Sequence, residues 1–255
     1  MKKINLKVGE IRYNNFGSKM ELIAYHSWEN IDVYFEEYNC VVTNSNYQQF
    51  LKGTIKCPYE KRTCNIGYLG EGIFTTRIDG KLTKVYKVWS SMLDRCYNPS
   101  RLKKYPTYTN STVEDYFHNF QNFGYWHEEN YYEIEGQKIH LDKDILSRAY
   151  GLDNKIYSRE TCVYVPERIN YLFTKADKSR GGLPIGVTWN KQQEKYHVCS
   201  INNEYLGRYD NPIEAFNIYK IYKEKYIKQI ADEYKNLIPL KLYEAMYKYE
   251  VKIDD

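Results

Sequence analysis

The sequence predicts an α+β fold in three parts. These are a small N-terminal β module over residues 1–78, a central helical region over 79–178, and a C-terminal three-stranded antiparallel sheet plus helix over 183–255. Three observations predict it. Ile31-Asp32-Val33-Tyr34-Phe35 alternates apolar and polar residues, the period of a half-buried strand. Val85, Val88, Trp89, Met92, Leu93 and Cys96 recur at helical spacing on one face. Near the C-terminus, three short strand-like runs lead into an amphipathic helix with its own start signal.

In the N-terminal module, residues 21–25 and 40–43 are further apolar runs between turn signals. The stretch Gly67-Tyr68-Leu69-Gly70-Glu71-Gly72 lacks the Lys-Ser/Thr ending of a phosphate loop, so it reads as the exit from the module. No chemistry is legible there, which leaves an interaction role, such as contact with a host protein. Asn98-Pro99-Ser100 stops the first helical pattern. Val113, Tyr116, Phe117, Phe120 and Phe123 form a second amphipathic segment, whose aromatics read as core. Residues 139–146 read as a strand with polar groups interleaved. A Gly/Asp/Asn turn at 151–154, an apolar run at 162–166 and a short helical piece at 167–173 follow, and a Lys/Ser/Gly loop over 175–182 closes the region.

The last module carries strands at 185–190, 196–201 and 204–209. Asn202-Asn203 serves as a two-residue hairpin turn because Asn tolerates positive φ. Asn211 is the N-cap of the next helix, Pro212 suits its first turn, and Glu214 can reach back as in a capping box. A final helix covers roughly residues 239–249.

Composition narrows the function classes. No stretch approaches the roughly 20 apolar residues that span a bilayer. The basic start Met1-Lys2-Lys3 lacks the apolar core of a signal peptide. Six cysteines without a CxxC pair read as reduced thiols of a cytoplasmic protein. The 29 tyrosines accompany many Lys, Asn and Ile, all written by A/T-rich codons, so as a set they are no evidence for base stacking. Net charge is only +4, but it is unevenly spread. Residues 81–108 hold seven basic side chains against one acid, and residues 175–208 hold six against three. Such runs are either solvated surface or phosphate contacts.

Gly186-Val187-x-Trp189, Lys195-Tyr196-His197, Tyr205-Leu206-Gly207-Arg208-Tyr209 and Ile213-Glu214-Ala215-Phe216 together resemble the Apetala-type (ethylene-response-factor) DNA-binding domain over about 50 residues. The resemblance implies a sheet laid in the major groove of double-stranded DNA. By strand alternation its contacts would come from Thr188, Asn190, Lys191, Lys195, His197, Ser200, Tyr205 and Arg208. Few of these are arginine, the residue that usually reads guanine.

A second set of residues resembles phage HNH-type homing endonucleases, in which a ββα-metal finger is often followed by an Apetala-type module. It comprises Leu141-Asp142-Lys143-Asp144-Ile145-Leu146, Asn154-Lys155-x-Tyr157-Ser158, and Cys162-x-Tyr164-Val165-Pro166-x-x-Ile169-Asn170. This resemblance implies Mg²⁺ or another divalent ion held by Asp142 and Asn170, with Asn154 orienting the finger. The position of the finger's usual catalytic His is taken here by Lys143 or Asp144. Three alternatives follow: His140 as base beside Asp142, Asp144 itself as base, or a finger that binds DNA without cutting. Arg95, Arg101, Lys103 and Lys104, on a basic helix before the finger, would grip phosphate.

Overall fold

A computed structural model of the protein describes residues 8–152, 155–174, 181–253 and 255. The fold is mixed α+β, with a four-stranded antiparallel sheet and, among the described residues, eight α-helices. The chain divides into two compact units: Met1–Pro106 with Asp115–Tyr125, and Thr107–Glu114 with Trp126–Asp255.

The first unit opens with strands β1 (Ile11–Tyr13), β2 (Lys19–Ser27), β3 (Asn30–Phe35) and β4 (Cys40–Ser45), paired in that order. The alternation read from the sequence buries Ile31, Val33 and Phe35 on one face, with Met20 and Leu22 beside them. Helix α1 (Tyr47–Leu51) closes that face with Tyr47 and Phe50. Asn46 starts α1 as a capping box, its side chain accepting from the Gln48 N–H at 2.7 Å.

A small ribbon follows, β5 (Arg77–Ile78) with β6 (Lys81–Leu82), and then α2 (Lys84–Tyr97). Trp89, Met92, Leu93 and Cys96 of α2 are buried, as their spacing predicts. The Trp89 indole N–H donates to the Phe117 carbonyl at 2.7 Å, so its one polar atom is satisfied in the core. Asn98 ends α2 and at once starts another helix. Its side chain accepts from the Ser100 N–H at 3.0 Å, and Pro99 occupies the first turn of α3 (Pro99–Lys104).

The expected amphipathic segment over 113–123 is broken into three pieces. Val113 ends a strand, β7 (Ser111–Val113), which belongs to the second unit; a 3₁₀ turn follows, and then α4 (Phe120–Asn130). The backbone of β7 bonds to a parallel partner strand, which removes it from any helix. Phe117, Phe120 and Phe123 are buried as read.

The second unit contains β8 (Ile139–Asp142), α5 (Asp144–Ala149), β9 (Lys155–Tyr157), β10 (Val163–Pro166) and α6 (Glu167–Leu172). It continues with β11 (Val187–Asn190), β12 (Lys195–Cys199), β13 (Tyr205–Tyr209), α7 (Pro212–Tyr234) and α8 (Leu240–Tyr247). β9 is the parallel partner of β7, and β8 pairs antiparallel with β10. The strand expected over 139–146 stops at Asp142. One oxygen of that carboxylate accepts the N–H groups of Asp144 and Ile145, each at 2.9 Å, which turns the chain into α5.

β11, β12 and β13 form a three-stranded antiparallel sheet. Asn211 caps α7 by accepting from the Ile213 N–H at 2.8 Å, without a reciprocal bond from Glu214. The first turns of α7 place Ala215, Phe216 and Tyr219 against Val187 and Val198 of the sheet. Its later turns place Ile227, Ile230, Ala231 and Tyr234 in a second core with Ile145, Leu146, Val163, Val165, Ile169 and Leu172. No helix among the described residues is long and apolar enough to cross a membrane.

Gly186 shows how closely α7 approaches the sheet. Its φ is +76°, and a methyl group there would overlap the Tyr219 ring. Gly186→Ala is therefore expected to destabilise the chain by about 1–3 kcal/mol, from overpacking plus backbone strain. Chemical unfolding checks this, and an unchanged midpoint would show that Tyr219 does not pack as described.

Candidate nucleic-acid interface and finger

The face of the β11–β13 sheet away from α7 is set by register. Thr188 pairs with His197, and His197 with Arg208, so these three side chains form one row across the strands. Strict alternation along β13 would put Tyr205 and Arg208, three residues apart, on opposite faces. A bulge reconciles them. Val198 pairs with Gly207 and Cys199 with Tyr205, so β13 holds one extra residue, Leu206, which turns toward the α7 core. Thr188, Cys199, Tyr205 and Arg208 are exposed, while Asn190, Lys195 and His197 are half-buried.

Several of these side chains already have partners. Asn190 Oδ1 accepts from the N–H groups of Gln192 and Gln193, at 3.0 and 3.1 Å, and so shapes the β11–β12 loop that carries exposed Lys191. Lys195 is ion-paired with Asp210. His197 Nε2 lies 2.8 Å from Gln193 Oε1, and its ring meets Tyr205 edge-on at 5.7 Å. Ser200 is buried. Its hydroxyl accepts from the N–H groups of Asn202 and Glu204 at 3.2 and 3.0 Å, so it builds the turn and does not face outward. That turn exceeds the two residues expected: Ser200 N–H bonds Glu204 O, and Asn203 alone takes the positive φ, +62°. Cys199 is the face residue that sequence reasoning missed. It stands two residues beyond His197, so alternation could have found it.

The basic residues before the finger do not share one helix. Arg95 lies on α2 and is half-buried; Arg101, Lys103 and Lys104 lie on α3. Arg101 Nε bonds Asp94 at 2.8 Å, and both Arg101 and Lys104 lie 5.2 Å from the Tyr105 ring. Lys103 and Lys104 are the exposed pair.

In the strand–strand–helix element of β8, β10 and α6, His140, Asp142 and Asp144 do not form a group of three arranged to hold a metal. His140 faces Glu167 of α6, with Nε2 3.7 Å from its carboxylate. Asp142 caps α5. Asp144 is the first residue of that helix, so it is not on the face of β8 that His140 and Asp142 share, and its carboxylate lies 2.6 Å from the Lys143 ammonium. Asn170 is half-buried on α6, and its side chain takes part in no hydrogen bond among the described residues. Asn154 lies outside the described residues. Glu167, invisible as a partner before β8 and α6 were placed together, is the acid nearest His140.

No protein-family model, curated protein or solved structure matches this chain. A divalent ion on the finger would need Asp142 and Asn170 free to coordinate. Here one oxygen of the Asp142 carboxylate, Oδ1, accepts two backbone N–H groups, and a buried ammonium stands beside Asp144. Among the described residues, no group of three or more His, Cys, Asp or Glu side chains is arranged to hold a metal. Asp142 Oδ2 and the Asn170 side chain are the atoms left to hold an ion.

Burial pushes the Asp142 carboxyl up to about 6, with the Asp144 charge adding to the shift and the two backbone N–H groups and Lys143 opposing it. The folded chain thus holds a proton on Asp142 more readily than the unfolded chain does. This group's contribution to stability accordingly falls as pH rises from about 4 to 6. Asp142→Asn keeps the capping oxygen and removes the titration. Relative to the parent, the variant should gain stability across that window and level off above about pH 7. Thermal unfolding of both chains against pH checks this, and a constant difference between them would remove the buried-carboxylate account.

Proposed function

We propose that this chain is a duplex-DNA-binding protein. In this reading the open face of the β11–β13 sheet enters the major groove, and the β8–β10–α6 finger braces that sheet without cutting. One observation carries the reading: the Thr188–His197–Arg208 row, flanked by Tyr205 and Cys199, lies on the sheet face opposite α7.

The dimensions suit it. Three strands at roughly 4.8 Å spacing are about 10 Å wide, and the major groove is about 12 Å wide. Arg208 makes no ion pair among the described residues, so its fork is available for a guanine edge or a phosphate. Thr188, Cys199 and Tyr205 offer small or apolar contacts suited to thymine methyl groups. Lys191, Lys103 and Lys104 are exposed candidates for phosphate, whereas Lys195 is partly neutralised by Asp210. His197, Tyr205 and Arg208 are among the residues that carry the sequence's likeness to the Apetala-type module, and the likeness to phage HNH-type proteins rests on residues 141–146, 154–158 and 162–170. Cleavage, which that second likeness implies, requires Asp142 and Asn170 to hold an ion. The capped Asp142 and the ammonium at Asp144 favour binding alone.

A gel-shift series with random and enriched duplexes tests the proposal. Binding at low salt should weaken about tenfold for Arg208→Ala on a preferred duplex. It should also fade with salt as a few phosphate contacts are screened. Supercoiled plasmid should stay intact with Mg²⁺ or Mn²⁺. Full-strength binding by an Arg208→Ala, Tyr205→Ala double variant would move recognition off this face. Nicking that disappears in Asp142→Ala would make the finger a nuclease.

A further inference from the structure

The turn from β8 into α5 contains a buried lysine between two carboxylates in sequence. The Lys143 side chain is only 2% exposed, although lysine is among the residues least often buried. Its ammonium lies 2.6 Å from Asp144 Oδ1, and it is 5.3 Å from the Tyr157 ring and 6.0 Å from the Tyr108 ring. A charge taken out of water needs a countercharge or π faces around it, and this one has both. On its other side in sequence, Asp142 spends its carboxylate on the first turn of α5, which begins one residue after Lys143. The Lys143 carbonyl is held as well, accepting from the Ser147 hydroxyl at 2.7 Å. The ammonium is thus fixed at both ends of its stem.

Two carboxylates two residues apart in one turn, with the charge of Asp144 acting on Asp142, would ordinarily attract a hard divalent cation such as Mg²⁺ or Mn²⁺. A second cation beside the same Asp144 oxygen would meet the ammonium at short range, where repulsion is strong. We propose that the Lys143 ammonium is the built-in cation of this turn: it does for Asp142 and Asp144 what a bound divalent ion would otherwise do, and it makes the β8–α5 element independent of metal. A cation site is therefore latent beneath the lysine stem and opens when that stem is removed. This inference does not depend on whether the chain binds DNA.

The test compares the full chain with Lys143→Ala, in EDTA and in millimolar Mn²⁺ or Mg²⁺. The parent should unfold at one temperature in all three conditions and give no saturable Mn²⁺ binding by isothermal titration. Lys143→Ala should lose roughly 5–10 °C in EDTA, since the buried stem no longer packs and the ion pair with exposed Asp144 is gone. It should recover most of that loss in Mn²⁺, with one ion bound per chain, and a further Asp144→Asn change should abolish the recovery. Should Lys143→Ala fail to fold in EDTA, refolding in Mn²⁺ is the same measurement, and failure to refold there counts against the proposal. Saturable Mn²⁺ binding by the parent, or an alanine variant equally unstable with and without the ion, would overturn it.

Discussion

Helix α7 belongs to two cores, and the second unit depends on that sharing. Its first turns sit under the three-stranded sheet, and its later turns fill the space among β8, β10, α5 and α6. At about 1.5 Å per residue, its 23 residues reach roughly 35 Å, long enough to serve both. Neither apolar surface could be buried by a shorter helix, so the sheet and the finger hold one orientation because one rod is part of each. At Gly186 the Tyr219 ring of α7 leaves no room for a side chain, and glycine is the residue that has none.

Much of this was legible from the residues alone. The alternation at Ile31–Phe35, the helical spacing of Trp89, Met92, Leu93 and Cys96, and the Asn211-Pro212 start of α7 each encode their element locally. What sequence reasoning missed lies where side chains compete with the strand or helix period. Asp142 looked like one more residue of a strand, yet its carboxylate captures two N–H groups and turns the chain. Asn98 looked like a stop, yet the same side-chain chemistry made it a start. Val113 looked helical because its neighbours are, but the pairing partner that makes it a strand lies more than forty residues away. No local pattern reveals such a partner.

The candidate site was legible in its residue types more than in its arrangement. Thr188, Tyr205 and Arg208 are exposed, while Ser200 is spent on a turn. The finger residues answer to a family likeness that implies a metal, yet His140 faces Glu167, Asp144 pairs with Lys143 and Asp142 starts α5. Lys143 takes a position where its charge serves the fold, which is a different use of a residue that looked like a departure from a catalytic pattern.

The bulge at Leu206 has a consequence for how such a surface can change. One surplus residue sits in β13 without turning Tyr205 away from the face of Arg208. A single-codon deletion of Leu206 would leave Tyr205 and Arg208 two residues apart, so strict alternation would keep both looking outward and only the inward leucine would be lost. The bulge thus takes up one residue of chain length without disturbing the outward row, so a frame-preserving deletion at this point can shorten the strand while its exposed residues keep their places.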